Sequence, residues 1–435
     1  MTEVEIMKSH KHICLTIAII LGLLLTACSK TNNVSLDAQP LQQAQEDPGE
    51  LGQTLNVVTV STPSEDQKQE QEQYQIQTRL VDFHLLNETT GLAWGLTRNS
   101  IRIYSTEDRG GSWVNMSPAE NVQFTSNPEY GTNVFFIDKN NGWIVRNGQG
   151  TQETVVLRTN NGGLHWKISS LPKSDDIKGI SFSSVKRGWI LTTSDSSMGQ
   201  EEKYLYRTDD GGANWTKVMQ NTGSRNASKD TPFAISNQGY VMDMSFVDSL
   251  NGFVTLQDEG TGTLYTTKDA GNSWVTVPNL IDRKKMAVCR TVTLGNSEFS
   301  GESTNQGFIP LACTDGDRTK LNGYFTSDKG VTWKFTPFDL NWSTGLNQML
   351  SPIFLNRNEG WYLQESTIYH TINQGNNWDA LPVSSTLQEY IETYPSVVKM
   401  EFISSKLGWI LLENTENKRS LLLQTLDGGV SWKVL

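Results

Sequence analysis

The stretch Thr208-Asp209-Asp210-Gly211-Gly212-Ala213-Asn214-Trp215 decides the fold, because its spacing of side chains returns seven times in 435 residues. Each copy has a threonine seven positions before a tryptophan, an Asp or Asn five before it and a Gly three before it. The tryptophans recur about every fifty residues, which is the period of propeller blades or solenoid repeats. The seven copies are Thr106/Asp108/Gly110/Trp113, Thr159/Asn161/Gly163/Trp166, Thr208/Asp210/Gly212/Trp215, Thr267/Asp269/Gly271/Trp274, Thr326/Asp328/Gly330/Trp333, Thr371/Asn373/Gly375/Trp378 and Thr425/Asp427/Gly429/Trp432.

Each part of the repeated turn has a physical role. An Asp or Asn side chain accepts hydrogen bonds from nearby backbone N–H groups, Gly allows the positive φ of a tight reversal, and the hydroxyl satisfies a second loop group. A buried indole covers roughly 150–250 Å², an upper bound of about 4–6 kcal/mol, against about 1 kcal/mol for one hydrogen bond. We therefore expect the tryptophan to anchor the turn on the sheet and the Asp or Asn to shape it.

Short strand patterns flank every repeated turn. In the third copy they lie at residues 179–182, 188–191, 204–207 and 215–218, which predicts strands A, B and C, then the turn, then strand D. Such strands are typical of an all-β fold, and radial repetition protects their edges. The pattern predicts a seven-bladed β-propeller of four-stranded antiparallel blades over residues 76–435. The alternative, a linear solenoid, would need polar capping repeats. Strand B opens with an aromatic residue at Trp94, Trp143, Trp189, Phe253, Phe308, Trp361 and Trp409.

These turns resemble the Asp-box, or BNR, repeat of sialidases, sortilin-type receptors, xyloglucan-degrading glycosidases and photosystem II assembly factors. The resemblance runs from about Val81 to Leu435 and implies an Asp-box in each C–D hairpin, acting as a structural turn and not as a catalytic element. Asn161 and Asn373 keep the acceptor without the charge, which favours a structural role over a calcium site. Copy number, phase and the N-terminal sequence are closest to the photosystem II assembly factors.

The N-terminus resembles a bacterial lipoprotein signal. An apolar run at residues 13–25 is too short for a dependable membrane span and ends in Leu25-Thr26-Ala27-Cys28, which is similar to a lipobox. The resemblance implies a signal peptide over residues 1–27 and a lipid on Cys28, on the extracytoplasmic side of a bacterial membrane. An uncleaved anchor helix with an incidental cysteine is the alternative.

Residues 28–75 are rich in Gln, Glu and Ser, and we expect a flexible tether, since they cannot bury enough apolar surface to offset the entropy of ordering. Residues 55–60 are an exception with two open interpretations: a strand added to a blade edge, most naturally where the ring closes, or no regular structure. The formal net charge of −11 disfavours nucleic acid and anionic lipid headgroups as partners.

Signals for site chemistry are few. A hairpin at residues 294–307 would place Cys289 opposite Cys313 on strands A and B of the fifth repeat, so a disulfide is predicted for an exported protein, with two buried thiols as the alternative. No histidine has the spacing of a metal site, and no nucleophile elbow or phosphate loop is present in the sequence. We therefore expect no metal, cofactor or catalytic residue.

Long loops remain as the candidate surface. The D–A loops at residues 220–238, 337–350 and 382–395 share a face with the B–C loops, and long loops on a rigid scaffold commonly bind partners. Trp342 is the strongest candidate, because no repeat position requires it; the competing interpretation is that these side chains only pack the loops down. The partner-binding candidates are Trp342, Phe338, Tyr390, Tyr394, Arg225, Asp230, Asp315, Asp317 and Arg318.

The sequence thus predicts a non-enzymatic, monomeric propeller that acts as a protein-binding scaffold or assembly factor. Aromatic residues and arginines are the usual hot spots of protein interfaces, which favours this function. The alternative is a carbohydrate-binding or glycoside-hydrolysing surface protein, which would need a pair of carboxylates from facing loops.

Overall fold

The computed structural model describes residues 35–37, 53–58, 73–118, 122–148, 153–171, 176–197, 199–223, 230–282, 284–300, 305–344 and 350–435. Within these ranges the chain is β-structure with one short helix, and no helix is both long and apolar enough to cross a membrane. The predicted signal peptide, Cys28 and Arg225 lie outside the described residues.

The strands before and in the first three repeat units are regular. Each unit forms an antiparallel sheet in the order A, B, C, D, and β1 adds a fifth strand to the second sheet. The strands are β1 (Ser35–Asp37), β2 (Gln53–Val58), β3 (Gln73–Thr78), β4 (Leu80–Leu85), β5 (Gly91–Thr97), β6 (Ser100–Thr106), β7 (Val114–Asn115), β8 (Val134–Phe136), β9 (Gly142–Arg146), β10 (Thr154–Thr159), β11 (His165–Leu171), β12 (Asp176–Phe182), β13 (Gly188–Ser197), β14 (Gln200–Thr208) and β15 (Thr216–Asn221).

The fourth and fifth units depart from this regularity, because they merge into one ten-stranded sheet, whereas the sixth and seventh are again separate four-stranded sheets. The strands are β16 (Tyr240–Phe246), β17 (Gly252–Asp258), β18 (Thr261–Thr267), β19 (Val275–Thr276), β20 (Thr291–Leu294), β21 (Glu298–Ser300), β22 (Gln306–Asp315), β23 (Arg318–Thr326), β24 (Lys334–Pro337), β25 (Ser343–Thr344), β26 (Ile353–Phe354), β27 (Gly360–Gln364), β28 (Thr367–Thr371), β29 (Asp379–Ala380), β30 (Ser396–Phe402), β31 (Gly408–Asn414), β32 (Arg419–Thr425) and β33 (Lys433–Val434).

The helix, α1 (Ser385–Thr393), lies in a segment predicted to be a loop. Its N-cap, Ser384, accepts a hydrogen bond from the backbone N–H of Leu387, and Leu387 is buried. A cap and one buried apolar residue make a signal too weak to predict a helix of nine residues.

The repeated turn has the same three hydrogen bonds in every unit. In the third unit, Thr208 Oγ1 accepts the N–H of Gly212 at 2.8 Å and donates to Asp210 Oδ1 at 2.8 Å. Asp210 Oδ1 also accepts the N–H of Asn214 at 2.9 Å, and Gly212 has a φ of +88°. The other six turns repeat these bonds, including the two with Asn. The Asp or Asn therefore shapes the turn, as predicted.

The turn tryptophans are less uniform than predicted. Trp113, Trp166 and Trp274 are at most 2% exposed, and each is paired with an additional segment: Trp113 with β2, Trp166 with β1 and Trp274 with the carbonyl of Phe233. Trp432 is also buried, whereas Trp215, Trp333 and Trp378 are only partly buried. Where no additional segment covers the turn, the indole is in most cases left partly open.

The first and seventh units pack against each other along a seam. Phe83, Trp113 and Trp409 share one apolar cluster there. Several hydrogen bonds cross the seam, among them Leu80 N–H to Ser420 Oγ at 2.7 Å, Lys399 Nζ to the Phe83 carbonyl at 2.7 Å, and Gln424 Nε2 to the Arg109 carbonyl at 2.8 Å.

Strand β2 lies in this seam. Leu55 and Val57 are 1% and 0% exposed within the seam cluster, and the Gln53 side chain bonds to the backbone of Leu422 and Leu435. The prediction of a flexible tether is therefore wrong for residues 35–37, 53–58 and 73–75, which lie in β1, β2 and β3; in β2 the alternating apolar side chains of Leu55 and Val57 fill the seam. A strand where the ring closes was one of the two interpretations of residues 55–60.

A disulfide joins Cys289 to Cys313, with their Cα atoms 5.2 Å apart, and confirms the predicted pair. Cys313 lies on β22 as predicted, but Cys289 precedes β20 and is not on a strand. The hairpin was misplaced because strand A of this unit is split into β20 and β21.

Candidate functional site

The β22–β23 hairpin brings three predicted binding residues together. Arg318 Nη2 lies 3.1 Å from Asp315 Oδ2, and the guanidinium carbon of Arg318 lies 5.2 Å from the centre of the Trp342 ring. Trp342 packs partly against the apolar cluster of the fifth unit, and β25, which follows it, pairs with β23 at Arg318 and Thr319. We call Asp315, Arg318 and Trp342 the hairpin patch.

Arg290 extends the hairpin patch, and sequence reasoning missed it. Its Nε lies 3.5 Å from Asp315 Oδ1, and its side chain is 81% exposed, compared with 52% for Arg318. Exposed ion pairs contribute only about 0–1 kcal/mol, so both guanidinium groups can exchange partners easily. Nothing in the local sequence distinguishes Arg290 from other surface arginines; it is the disulfide next to it that holds it against the hairpin.

Phe338 does not belong to a binding surface, and its prediction as a binding residue is wrong. The side chain is 1% exposed, with its ring 5.8 Å from that of Phe354 and 5.5 Å from that of Trp378. It fills the space between the fifth and sixth units. An aromatic residue just after a D strand is pulled into the core when the next unit packs on it.

The remaining candidates are dispersed. Asp317 is exposed in the turn of the β22–β23 hairpin. Asp230 closes its own loop, accepting hydrogen bonds from the N–H and hydroxyl of Thr222 at 3.0 and 3.1 Å. Tyr390 of α1 and Tyr394, its C-cap, pack partly into the apolar cluster of the sixth and seventh units. For these two tyrosines the structure agrees with the packing interpretation.

A group of charged side chains on the first strands of the units was missed by sequence reasoning. Lys399 Nζ lies 3.4 Å from Asp82 Oδ1 and 3.5 Å from Glu401 Oε2, while His84 Nδ1 lies 2.9 Å from Glu401 Oε1. The ring of Tyr130 stacks on His84 with 3.7 Å between centroids. We call Asp82, His84, Lys399 and Glu401 the charged cluster; it lies across the seam from β4 to β30.

Burial and neighbouring charges move two glutamates in opposite directions. Burial alone would raise the pKa of Glu401, but the charges of His84 and Lys399, with their hydrogen bonds, outweigh it and lower the pKa to about 2. Glu298 of β21 is exposed to solvent on one side, but desolvation by the protein around its carboxyl group, with the charge of Glu401, raises its pKa to about 7. Perturbed carboxyl groups of this kind are concentrated at functional sites.

The alternation of side chains along a β-strand could have revealed the charged cluster. Asp82 and His84 are two residues apart on β4, and Lys399 and Glu401 are two apart on β30, so each pair lies on one face of its strand. Within the described ranges, no three His, Cys, Asp or Glu side chains are grouped in a way that could hold a metal ion.

A polar cavity of about 280 Å³ lies near the charged cluster. Residues 123–133, the end of β9 with residues 147–148, and Ile177 of β12 line it. Glu129 lines the cavity and also feels the charges of the charged cluster. Burial and the charge of Asp82 raise the pKa of Glu129, whereas the charge of Lys399 lowers it. A D–A loop and a B–C loop both contribute to the cavity, and the sequence predicted that these two kinds of loop share a face.

Comparison of the amino-acid sequence with known protein families matches part of the chain. The family described as Sortilin, neurotensin receptor 3, matches residues 101–249. No curated protein is significantly similar to the chain in sequence.

Several solved structures share the fold. A xyloglucanase of glycoside hydrolase family 74 from Xanthomonas campestris has a TM-score of 0.51 at 13% identity, over 81% of this chain and 54% of that chain. A prolyl endopeptidase has a TM-score of 0.50 at 8% identity, over 82% and 49%. The chain thus spans about half the length of these two enzymes. YCF48 bound to a D1 peptide has a TM-score of 0.47 at 15% identity, over 88% and 99%. At these identities the likeness to the xyloglucanase and the prolyl endopeptidase concerns the fold alone; the repeated four-stranded antiparallel sheets are those of a β-propeller.

Proposed function

We propose that this chain is a non-enzymatic, seven-bladed β-propeller that binds a partner protein through the hairpin patch. Seven turns with identical hydrogen bonds support seven blades, each with an Asp-box. The contacts between the first and seventh units support a closed ring. The proposal includes a lipid on Cys28, which rests on the lipobox-like sequence and would hold a monomeric propeller on the outer side of a bacterial membrane.

One observation carries the proposal: the guanidinium carbon of Arg318, at the start of β23, lies 5.2 Å from the ring centre of Trp342, which directly precedes β25, while much of the arginine faces solvent. Such a pair offers a large ring surface and a planar group with several donors. Because the pairing of β25 with β23 already holds the chain directly after Trp342, less conformational entropy is lost when a partner covers the ring. Tryptophan and arginine at such positions commonly dominate binding energy.

The test is quantitative co-purification after chemical cross-linking of the tagged full-length protein in membranes of its source organism. We expect Trp342→Ala and Arg318→Ala each to lower capture of the main partner about tenfold or more, as hot-spot truncation does. Phe233→Ala is the matched control, because Phe233 is an aromatic residue that is 76% exposed elsewhere on the chain. An unchanged set of captured proteins in both patch variants would refute binding through this patch.

Glycoside hydrolysis is a second candidate, favoured by the two glutamates with opposite pKa shifts. A carboxyl group with a raised pKa beside an ionised carboxylate is the arrangement of a general acid and its partner. If the chain hydrolyses a polysaccharide, release of reducing sugar should disappear in Glu298→Gln while Trp342→Ala retains it. Lack of any release by the unmodified protein from xyloglucan, arabinan and sialylated glycans would remove this candidate.

A further inference from the structure

The backbone around the polar cavity is fixed by hydrogen bonds on every side. Phe124 N–H donates to the Asn99 carbonyl at 2.8 Å, and the buried indole of Trp94 donates to the Pro128 carbonyl at 2.8 Å. Tyr130 N–H donates to Asp82 Oδ2 at 2.8 Å. Residues 123–133 therefore form a rigid wall, although they contain little regular secondary structure.

The facing wall is equally fixed. Asn147 Oδ1 accepts the N–H of Ile177 at 3.3 Å, and its Nδ2 donates to Asp176 Oδ1 at 3.2 Å. Asn133 bonds to β9 through both its backbone and its side chain, since its carbonyl accepts the N–H of Val145 at 2.7 Å and its Nδ2 donates to the Val145 carbonyl at 3.1 Å. The cavity is thus built before any ligand arrives.

Several polar side chains on these walls are free. Those of Gln123, Thr125, Ser126, Asn127 and Thr132 line the cavity and make no hydrogen bond with the described part of the chain. Each can both donate and accept. The two apolar lining residues, Phe124 and Ile177, are 6% and 7% exposed, so they form a floor and present little surface.

The charged lining residues balance each other. Arg146 and Glu129 are the ionised groups of the lining, with one positive and one negative charge. The guanidinium of Arg146 makes one local bond, from Nη1 to the Asn147 carbonyl at 3.3 Å, which leaves its other donors available. A lining with no net charge, many free donors and acceptors and little apolar surface suits an uncharged ligand with many hydroxyl groups.

We propose that this polar cavity is a binding site for a neutral saccharide, distinct from the hairpin patch and independent of the proposed protein-binding function. Sugar hydroxyl groups both donate and accept, as do the free amides and hydroxyls of the walls. An extended peptide would instead need apolar pockets for alternate side chains, and the apolar residues of this lining, Phe124 and Ile177, are both buried. The volume of about 280 Å³ suits a short segment of a glycan.

Binding should be measured by isothermal titration calorimetry and ligand-observed NMR on the full-length protein. The probes are cellotriose, maltotriose, xylotriose and chitotriose, with an acetylated, amidated Asn-Gly-Ser-Gly peptide as the competing ligand class. The pocket variants are Arg146→Met, which removes the guanidinium, and Asn127→Ala, which is exposed and should fold normally. The matched control is Lys139→Met, in a second cavity, where Lys139 already pairs with Glu107 at 2.9 Å.

At least one trisaccharide should bind, and both pocket variants should weaken it about tenfold, the effect of losing one to two hydrogen bonds. Lys139→Met should bind like the unmodified protein, and thermal unfolding of all variants should be the same. The proposal is overturned if no trisaccharide binds, if only the peptide binds, or if the Arg146→Met and Asn127→Ala proteins both bind the trisaccharide as tightly as the unmodified protein. None of these outcomes depends on the hairpin patch, so they leave the protein-binding proposal as it stands.

Discussion

The seam and the junction between the fourth and fifth units join neighbouring units in different ways. At the fourth–fifth junction, β18 pairs in parallel with β20 at Thr261 and Val292, and a disulfide ties the same segment to β22. At the seam no described strand of the first unit pairs with a described strand of the seventh. Side chains and the inserted strand β2 bridge the seam instead.

The two junctions differ in the length of chain that they close. Units four and five are consecutive, so the pairing of Thr261 with Val292 closes a short stretch of chain, although the other consecutive units of the described chain form separate sheets. The hydrogen bonds across the seam join residues as far apart as Leu80 and Ser420, with a separation of 340 positions. Such a junction depends on specific side chains, because no covalent neighbour brings its strands together.

The largest expected effect comes from breaking the seam. Trp409→Ala should lower the free energy of unfolding by about 4 kcal/mol, since it removes a buried indole that lies 5.8 Å from Phe83 and from Trp113. Trp189→Ala, at the equivalent strand position in the third unit, is the matched control and should cost a similar amount. Hydrogen exchange should show lost protection at the amides of Leu80 and Leu422 in Trp409→Ala alone; equal protection in both variants would mean that the seam does not depend on Trp409.

A smaller effect is expected at the fourth–fifth junction. Replacing Cys289 and Cys313 together by Ala should lower the unfolding free energy by about 3 kcal/mol, because the cross-link spans 24 residues. Denaturant unfolding of the oxidised protein and the double variant measures this, with the reduced protein as a third sample. Because strand pairing also joins these units, hydrogen exchange at the seam should not change; a loss there would show that the two junctions are coupled.

The smallest effect is a pH dependence of opposite sign at two glutamates. Glu298 has a raised pKa of about 7, so its contribution to stability is present below its ordinary value of 4.5 and is lost as the pH rises through 7. Glu401 has a lowered pKa of about 2, so its contribution is present above 4.5 and is lost as the pH falls through 2.

Thermal unfolding from pH 3 to pH 8 checks both signs. Relative to the unmodified protein, Glu298→Gln should gain stability as the pH rises from 4.5 to 7. Glu401→Gln should lose most at neutral pH and recover as the pH falls below 4.5. Parallel curves for the two variants would show that the pKa values of Glu298 and Glu401 are not shifted in opposite directions.

Part of the candidate surface could be predicted from the sequence. Trp342 stood out because it lies outside the repeat, and the structure places it beside Arg318 and Asp315, which were also predicted. Phe338 lies in the same loop and was also predicted to bind a partner, yet it is buried. Arg290 and the charged cluster were missed. Whether a loop side chain is buried depends on how the neighbouring unit packs on its loop, and the local sequence does not indicate this.

The amino-acid sequence by itself determined the repeated turn and the order of strands around it. The bonds of Thr208 and Asp210 span at most four residues, so the spacing of hydroxyl, carboxylate and glycine is sufficient to specify them. Only the tertiary structure decided that β2 fills the seam and that Lys399 meets Asp82. Contacts between residues hundreds of positions apart depend on how whole sheets pack, and a single sequence holds no periodic trace of them.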